Sequence, residues 1–150
     1  MNTTGKILAL TKDHELWRMV LDLDQAYFPR PWKDSDWNSL DLSRHQVWAY
    51  HDGDHLLGFT LLATNPGDET AHLLKIFIHS ELRGTKTSQI FWQYVAESLR
   101  NLNFKYVYLE VEESNERARR FYEKIGFQVL RRVKSYYSDG EAAEMLRLTI

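Results

Sequence analysis

The chain has 150 residues, 43% of them hydrophobic and 27% charged, a balance that excludes a disordered chain and fits one domain spanning residues 1–150. A formal net charge of -2 gives no broad attraction to phosphate backbones, which disfavours direct nucleic-acid binding. The absence of cysteine removes disulfides, thiolate nucleophiles and cysteine-based zinc sites together.

The opening Met1-Asn2-Thr3-Thr4-Gly5-Lys6 lacks the apolar core of a signal peptide, and no apolar run reaches membrane-spanning length. The expectation is a cytoplasmic protein without a membrane partner, folding alone or as a small oligomer. Of the six histidines only His51 and His55 stand close, flanking the turn Asp52-Gly53-Asp54, and they read as solvated turn residues. No metal site is expected.

Residues 7–10 form a short apolar run that reads as an edge strand. A helix follows over residues 14–27, with Leu16, Met19, Val20, Leu23 and Tyr27 at helical spacing as its buried stripe. Phe28-Pro29-Arg30-Pro31-Trp32 ends it, because each proline biases its predecessor away from helix. Residues 34–42 read as a second short helix with Trp37 and Leu40 inward. Residues 46–50 and 56–64 read as strands joined by the Asp-Gly turn.

Residues 71–78 are apolar except for His72 and Lys75, as in a central strand. Residues 87–99 carry Ile90, Phe91, Tyr94, Val95 and Leu99 on one helical face, and residues 106–111 form another apolar strand. Strand, helix and strand in that order make a right-handed crossover with a parallel pair. A helix over residues 115–125, capped by Gly126, precedes closing strands over residues 127–137 and 144–150.

Two stretches carry candidate chemistry. The first runs from the strand at residues 75–78 through a polar turn into a helix. Unpaired backbone N–H groups and the helix dipole at such a start suit a pyrophosphate, and Arg83, Gly84, Thr85, Lys86, Thr87 and Ser88 would line it. An ordinary solvated turn, capped by Thr87 or Ser88, is the competing reading. The second stretch holds Glu110, a carboxylate interrupting an apolar strand, then Asn115, Ala118 and Tyr122 on one helical face. A rim carboxylate, a helix N-cap and a core aromatic are the bland alternatives for Glu110, Asn115 and Tyr122.

The combination resembles the GNAT acetyltransferase superfamily, and within it the RimI-type ribosomal-protein alanine N-acetyltransferases. The resemblance rests on Leu109-Glu110-Val111, Ser114-Asn115, Ala118, Phe121-Tyr122-Glu123 and Gly126-Phe127. Phe28 to Trp32 and the closing Arg131-Arg132, Tyr136-Tyr137 and Glu141 to Met145 extend it. It implies an α/β (α+β) fold with a mixed sheet of six to seven strands, a splayed parallel pair and about four helices. Backbone groups of Ile76, Phe77 and Ile78 would bind the pantetheine arm of acetyl-CoA. Glu110 would be the proton acceptor, Asn115 and Ala118 cofactor contacts, and Tyr122 the proton donor. Trp32, Tyr136 and Tyr137 would flank the acceptor.

Lys86 and Ser88 depart from the family's phosphate loop, which has small residues at both positions. The acceptor is expected to be a peptide N-terminus, with a polyamine or aminoglycoside as the rival. An acidic cleft around Asp22, Asp24 and Glu112 would favour the polycation. A non-catalytic acyl-CoA-binding module is the reading from another class.

Overall fold

The computed structural model describes residues 5–150. Its seven-stranded sheet has the spatial order β1-β2-β3-β4-β5-β7-β6. The strands are β1 (Lys6–Ala9), β2 (His45–Asp52), β3 (His55–Ala63), β4 (Thr70–Ile78), β5 (Tyr106–Glu112), β6 (Gln128–Val133) and β7 (Ala143–Thr149). Among the described residues α1 (Leu16–Tyr27), α2 (Asp34–Asn38), α3 (Lys86–Asn101) and α4 (Glu116–Lys124) are the α-helices. The expected mixed fold and its parallel pair are both present: β4 and β5 run parallel, and the other neighbours are antiparallel.

Two apolar clusters cover the faces of the sheet. On one face Phe91, Trp92, Val95 and Leu99 of α3 pack with Tyr122 of α4 against Leu73, Val107 and Leu109. On the other, Leu16, Trp17 and Val20 of α1 and Trp37 of α2 pack against Phe59 and Phe77. Two helix faces are corrected. In α1 the buried residues are Leu16, Trp17, Val20, Leu21 and Asp24, while Met19 and Tyr27 are exposed. A buried carboxylate carries no signal in an apolar periodicity, and the apolar stripe therefore lies one position from the buried face. In α3 Ile90 and Tyr94 are exposed, and Thr87, Ser88, Trp92 and Ala96 are buried in their place. Two spans also shorten: α2 ends at Asn38, and β6 ends at Val133 before a loop to residue 142.

The sheet opens at its centre. Pairing between β4 and β5 covers only Thr70–Tyr106, Ala71–Val107 and His72–Tyr108. Just beyond, Leu61 and Leu62 of β3 pair with Lys75 and Leu73, so Leu74 is an extra residue on β4. Such a bulge bends and twists its strand. From there β4 stays with β3, while Leu109 to Glu112 of β5 stay with β7. A wedge-shaped gap results.

Candidate active site

The gap is part of a cleft of about 720 Å³ lined by residues 73–78 of β4, 109–112 of β5, the segment 27–30, Arg83, Gly84, Tyr136, Tyr137 and the inner face of α4. The His79 N–H donates to the Leu57 carbonyl at 2.8 Å. Because bonded positions alternate along an antiparallel ladder, Phe77 and Lys75 turn their backbone groups toward β3, and Ile76 and Ile78 turn theirs into the gap. The Arg83 Nε donates to the Ile78 carbonyl at 2.9 Å, from the gap side. Phe77 contributes its side chain to the cleft.

The polar loop leads into α3, whose N-cap is Thr85 without a side-chain capping bond. The hydroxyls that could have capped it point elsewhere: Thr85 Oγ1 donates to the Leu82 carbonyl at 2.6 Å and Ser88 Oγ to the Thr85 carbonyl at 2.8 Å. Among the described residues no side chain therefore caps the first-turn N–H groups of Lys86, Thr87 and Ser88. Their positive end of the helix dipole suits an anion. Gly84 takes φ +71°, with nothing within 4 Å of where a Cβ would stand. Lys86 is the first helical residue and its side chain is exposed, so it does not fill the loop.

On the opposite wall Asn115 caps α4, its side-chain oxygen accepting from the Ala118 N–H at 3.2 Å. Asn115, Ala118 and Tyr122 share the face that lines the cleft. The helix is tied down by Arg119, which pairs with Glu144 of β7 at 2.8 Å and donates to the Glu113 carbonyl at 2.9 Å. Tyr122 is buried, and burial, then the charges of Glu112 and Tyr137, push its phenol well above the usual value. Among the described residues its hydroxyl makes no hydrogen bond.

Glu110 reaches the cleft from β5, half-buried. Its Oε2 lies 2.6 Å from His72 Nε2, and the Tyr136 hydroxyl donates to its Oε1 at 3.3 Å. A carboxylate accepts only, so Nε2 is the ring nitrogen that carries the hydrogen. His72 stands at the last paired position before the strands part and packs edge-on against Tyr108. Sequence reasoning missed it. Its place as a polar interruption of an apolar strand was the available signal, as it was for Glu110.

The acceptor candidates separate. Tyr136 and Tyr137 line the cleft, and burial followed by the Glu112 charge pushes the Tyr137 phenol up to about 12. Trp32 does not line it; its ring packs on Trp37 and its N–H donates to Asp24 Oδ2. The three carboxylates whose grouping would favour a polycation stand apart. Asp22 pairs with Arg18 in solvent, Asp24 is buried against Lys75, and Glu112 pairs with Arg30.

Residues 17–127 match the acetyltransferase (GNAT) family, and the chain belongs to it. It is an acetyl-CoA-dependent N-acetyltransferase. A Bacillus subtilis (strain 168) protein provisionally named ribosomal protein bS18-alanine N-acetyltransferase is 30% identical over 135 residues, 87% of each chain. The crystal structure of the ribosomal-protein-S18-alanine N-acetyltransferase from Escherichia coli superposes with a TM-score of 0.83 at 20% identity, covering 98% of this chain and 94% of that one. An aminoglycoside 6'-N-acetyltransferase complexed with coenzyme A gives 0.80 at 16% identity, covering 96% of each chain. The same fold thus accompanies unlike acceptors, and the acceptor must be argued from the site.

Proposed function

We propose that this chain acetylates the terminal amine of a peptide or protein, with Glu110 as general base and Tyr122 as general acid. The observation that carries the reading is that Glu110 and Tyr122 both line the cleft opened by the β4–β5 splay. An α-amine, with an ordinary pKa of about 8, is mostly protonated at neutral pH and cannot attack until a base takes its proton. Glu110 is that base. His72 holds its carboxylate from behind, so that the oxygen beside Tyr136 faces the acceptor.

Acetyl-CoA supplies the acetyl group and departs as a thiol. The gap-facing backbone at Ile76 and Ile78 would take the pantetheine arm and polarise the carbonyl, with Phe77 packing beside it. The uncapped N–H groups of Lys86, Thr87 and Ser88, presented by the turn at Arg83, Gly84 and Thr85, would hold the pyrophosphate. Asn115 and Ala118 form the wall that lets the cofactor lie close to α4. Tyr122, kept protonated by its burial, gives its proton as the carbon–sulfur bond breaks. That transfer runs against the difference in acidity between phenol and thiol. It is therefore concerted with cleavage, and the second proton of the attacking nitrogen replaces the one lost.

A polycationic small amine is the weaker reading, because Asp22, Asp24 and Glu112 are each engaged by a cation. Recognition of an RNA-linked acceptor through the basic residues 117–120 and 131–134 is weaker still, since three of those cations, Arg119, Arg120 and Arg132, pair with Glu144, Glu116 and Glu113. The test is CoA release over a panel of N-terminal peptides, polyamines and aminoglycosides. The reading expects turnover with peptides above all others. Acetyl-CoA binding with no turnover across the panel would overturn it and leave a binding module.

A further inference from the structure

One side chain crosses the acceptor end of the cleft. Arg30, in the segment between α1 and α2, pairs through Nη1 with Glu112 Oε1 at 2.8 Å and through Nη2 with Asp139 Oδ2 at 2.8 Å. Its guanidinium lies 3.9 Å from the centre of the Tyr137 ring. Glu112 ends β5 opposite Ala143, and Tyr137 and Asp139 belong to the adjoining loop between β6 and β7, so Arg30 ties the segment between α1 and α2 to that side of the cleft. Its backbone is held too: the Arg30 carbonyl accepts from Lys75 Nζ at 3.3 Å, and Lys75 is itself buried against Asp24.

The charges around this bridge matter as much as its span. Glu110 and Glu112 are two residues apart on β5 and point to the same face of the sheet. Asp139 approaches from the loop. Lys75 is committed to Asp24, which leaves Arg30 as the cation placed between Glu112 and Asp139. With it, Glu112 and Asp139 are neutralised and Glu110 is the carboxylate left to meet one ammonium. Without it, Glu112 in the cleft lining and Asp139 on the adjoining loop would stand unpaired near Glu110, an arrangement that suits an aliphatic polycation.

We propose that Arg30 is a specificity-determining latch: it ties the α1–α2 segment to the end of β5 and the β6–β7 loop and neutralises Glu112 and Asp139, so that the cleft admits the single ammonium of a chain end and disfavours polyamines. The proposal rests on the reading of the chain as an acetyltransferase of terminal amines. The Asp139 arm is mostly solvent-exposed and the Glu112 arm less so, which makes the latch openable from the Asp139 side and weaker at high ionic strength.

The experiment compares kcat/KM for a neutral N-terminal peptide and for spermine, at low and high salt, in wild type, Arg30→Met, Arg30→Lys and Asp139→Asn. Arg30→Met keeps the stem and loses the charge. It is expected to raise the spermine-to-peptide ratio about tenfold at low salt, the scale of one screened charge pair, with the gain shrinking at high salt and the KM for acetyl-CoA unchanged. Arg30→Lys should lie between. Asp139→Asn keeps the oxygen that accepts from the Glu141 N–H and should shift the ratio the other way. An active, folded Arg30→Met protein with the wild-type ratio overturns the latch. If that variant does not fold, an unmoved ratio in Asp139→Asn overturns it instead. A wild type inactive on both amines overturns the underlying reading as well, so the two failures are told apart by the wild-type arm.

Discussion

Replacing Lys75 by methionine should cost more stability than any surface change, although Lys75 stands on a strand lining an open cleft. The Lys75 side chain is 6% exposed and its partner Asp24 is 0% exposed, at 2.7 Å. Asp24 also accepts from the Trp37 Nε1 and the Trp32 N–H, each at 2.8 Å, so its carboxylate ties α1, α2 and β4 together at one point. Methionine keeps the length of the stem and its contact with the Phe28 and Trp32 rings, which Lys75 Nζ overlies at 4.7 and 5.6 Å. What remains is a buried carboxylate held by two neutral donors. Breaking a buried pair from one side costs about 3–5 kcal/mol, against a total stability of roughly 5–15 kcal/mol. For a chain of this size that is a fall in Tm of roughly 6–20 °C, read by thermal melting at one pH. Pairing Lys75→Met with Asp24→Leu should recover part of the loss. Recovery would be incomplete, because the Trp32 N–H and Trp37 Nε1–H donors are then left unpaired at about 1–3 kcal/mol each. A Lys75→Met protein melting within about 2 °C of wild type would refute the reasoning that the pair is desolvated and structural.

Three further outcomes follow from the site. His72→Ala should lower kcat about 10–100-fold by releasing the Glu110 carboxylate, while His72→Gln, which keeps an N–H donor, should lose less; equal losses with unchanged folding would contradict a positioning role. Gly58→Ala should cost about 1–3 kcal/mol and raise the KM for acetyl-CoA, because its Cβ would meet the Phe77 carbonyl at 2.9 Å and displace β4 beside the gap; denaturant melts and saturation curves read both. Because the folded-state pKa of Tyr122 is raised above that of an unfolded tyrosine, its contribution to stability is full below pH of about 10 and is lost as pH rises toward the folded value. Tyr122→Phe should flatten the decline of stability between pH 9.5 and 11.5, and an unaltered slope would mean that the phenol is not desolvated.

Much of this architecture was legible in the sequence because it rests on local patterns. The β4–α3–β5 crossover follows from two apolar runs about a helical stripe, and Asn115, Ala118 and Tyr122 share a face by helical spacing alone. Legibility ended where partners are distant and polar. Glu110 was visible as a charge in an apolar strand, but its contact with His72, 38 residues away, depends on the register of a parallel pair that covers three positions. Asp24 and Lys75 are 51 residues apart, and no local pattern pairs them. The family resemblance, carried here by Phe28 to Trp32, implies Trp32 at the acceptor. In the fold the same segment turns Arg30 toward the cleft and Trp32 back onto Trp37. The loop hydroxyls were expected to face a phosphate, yet Thr85 and Ser88 satisfy nearby carbonyls, leaving the backbone to offer the donors.

The central claim is that Glu110 takes the proton from the acceptor amine. The most direct measurement is kcat for Glu110→Gln with an N-terminal peptide at saturating acetyl-CoA, alongside the dissociation constant for acetyl-CoA. Glutamine keeps the size and one accepting oxygen for His72, with its amide N–H turned to the Tyr136 hydroxyl, but cannot act as the base. The account predicts a fall in kcat of about 10²–10⁴-fold with cofactor binding unchanged. A variant whose kcat stays within about twofold of wild type would contradict it.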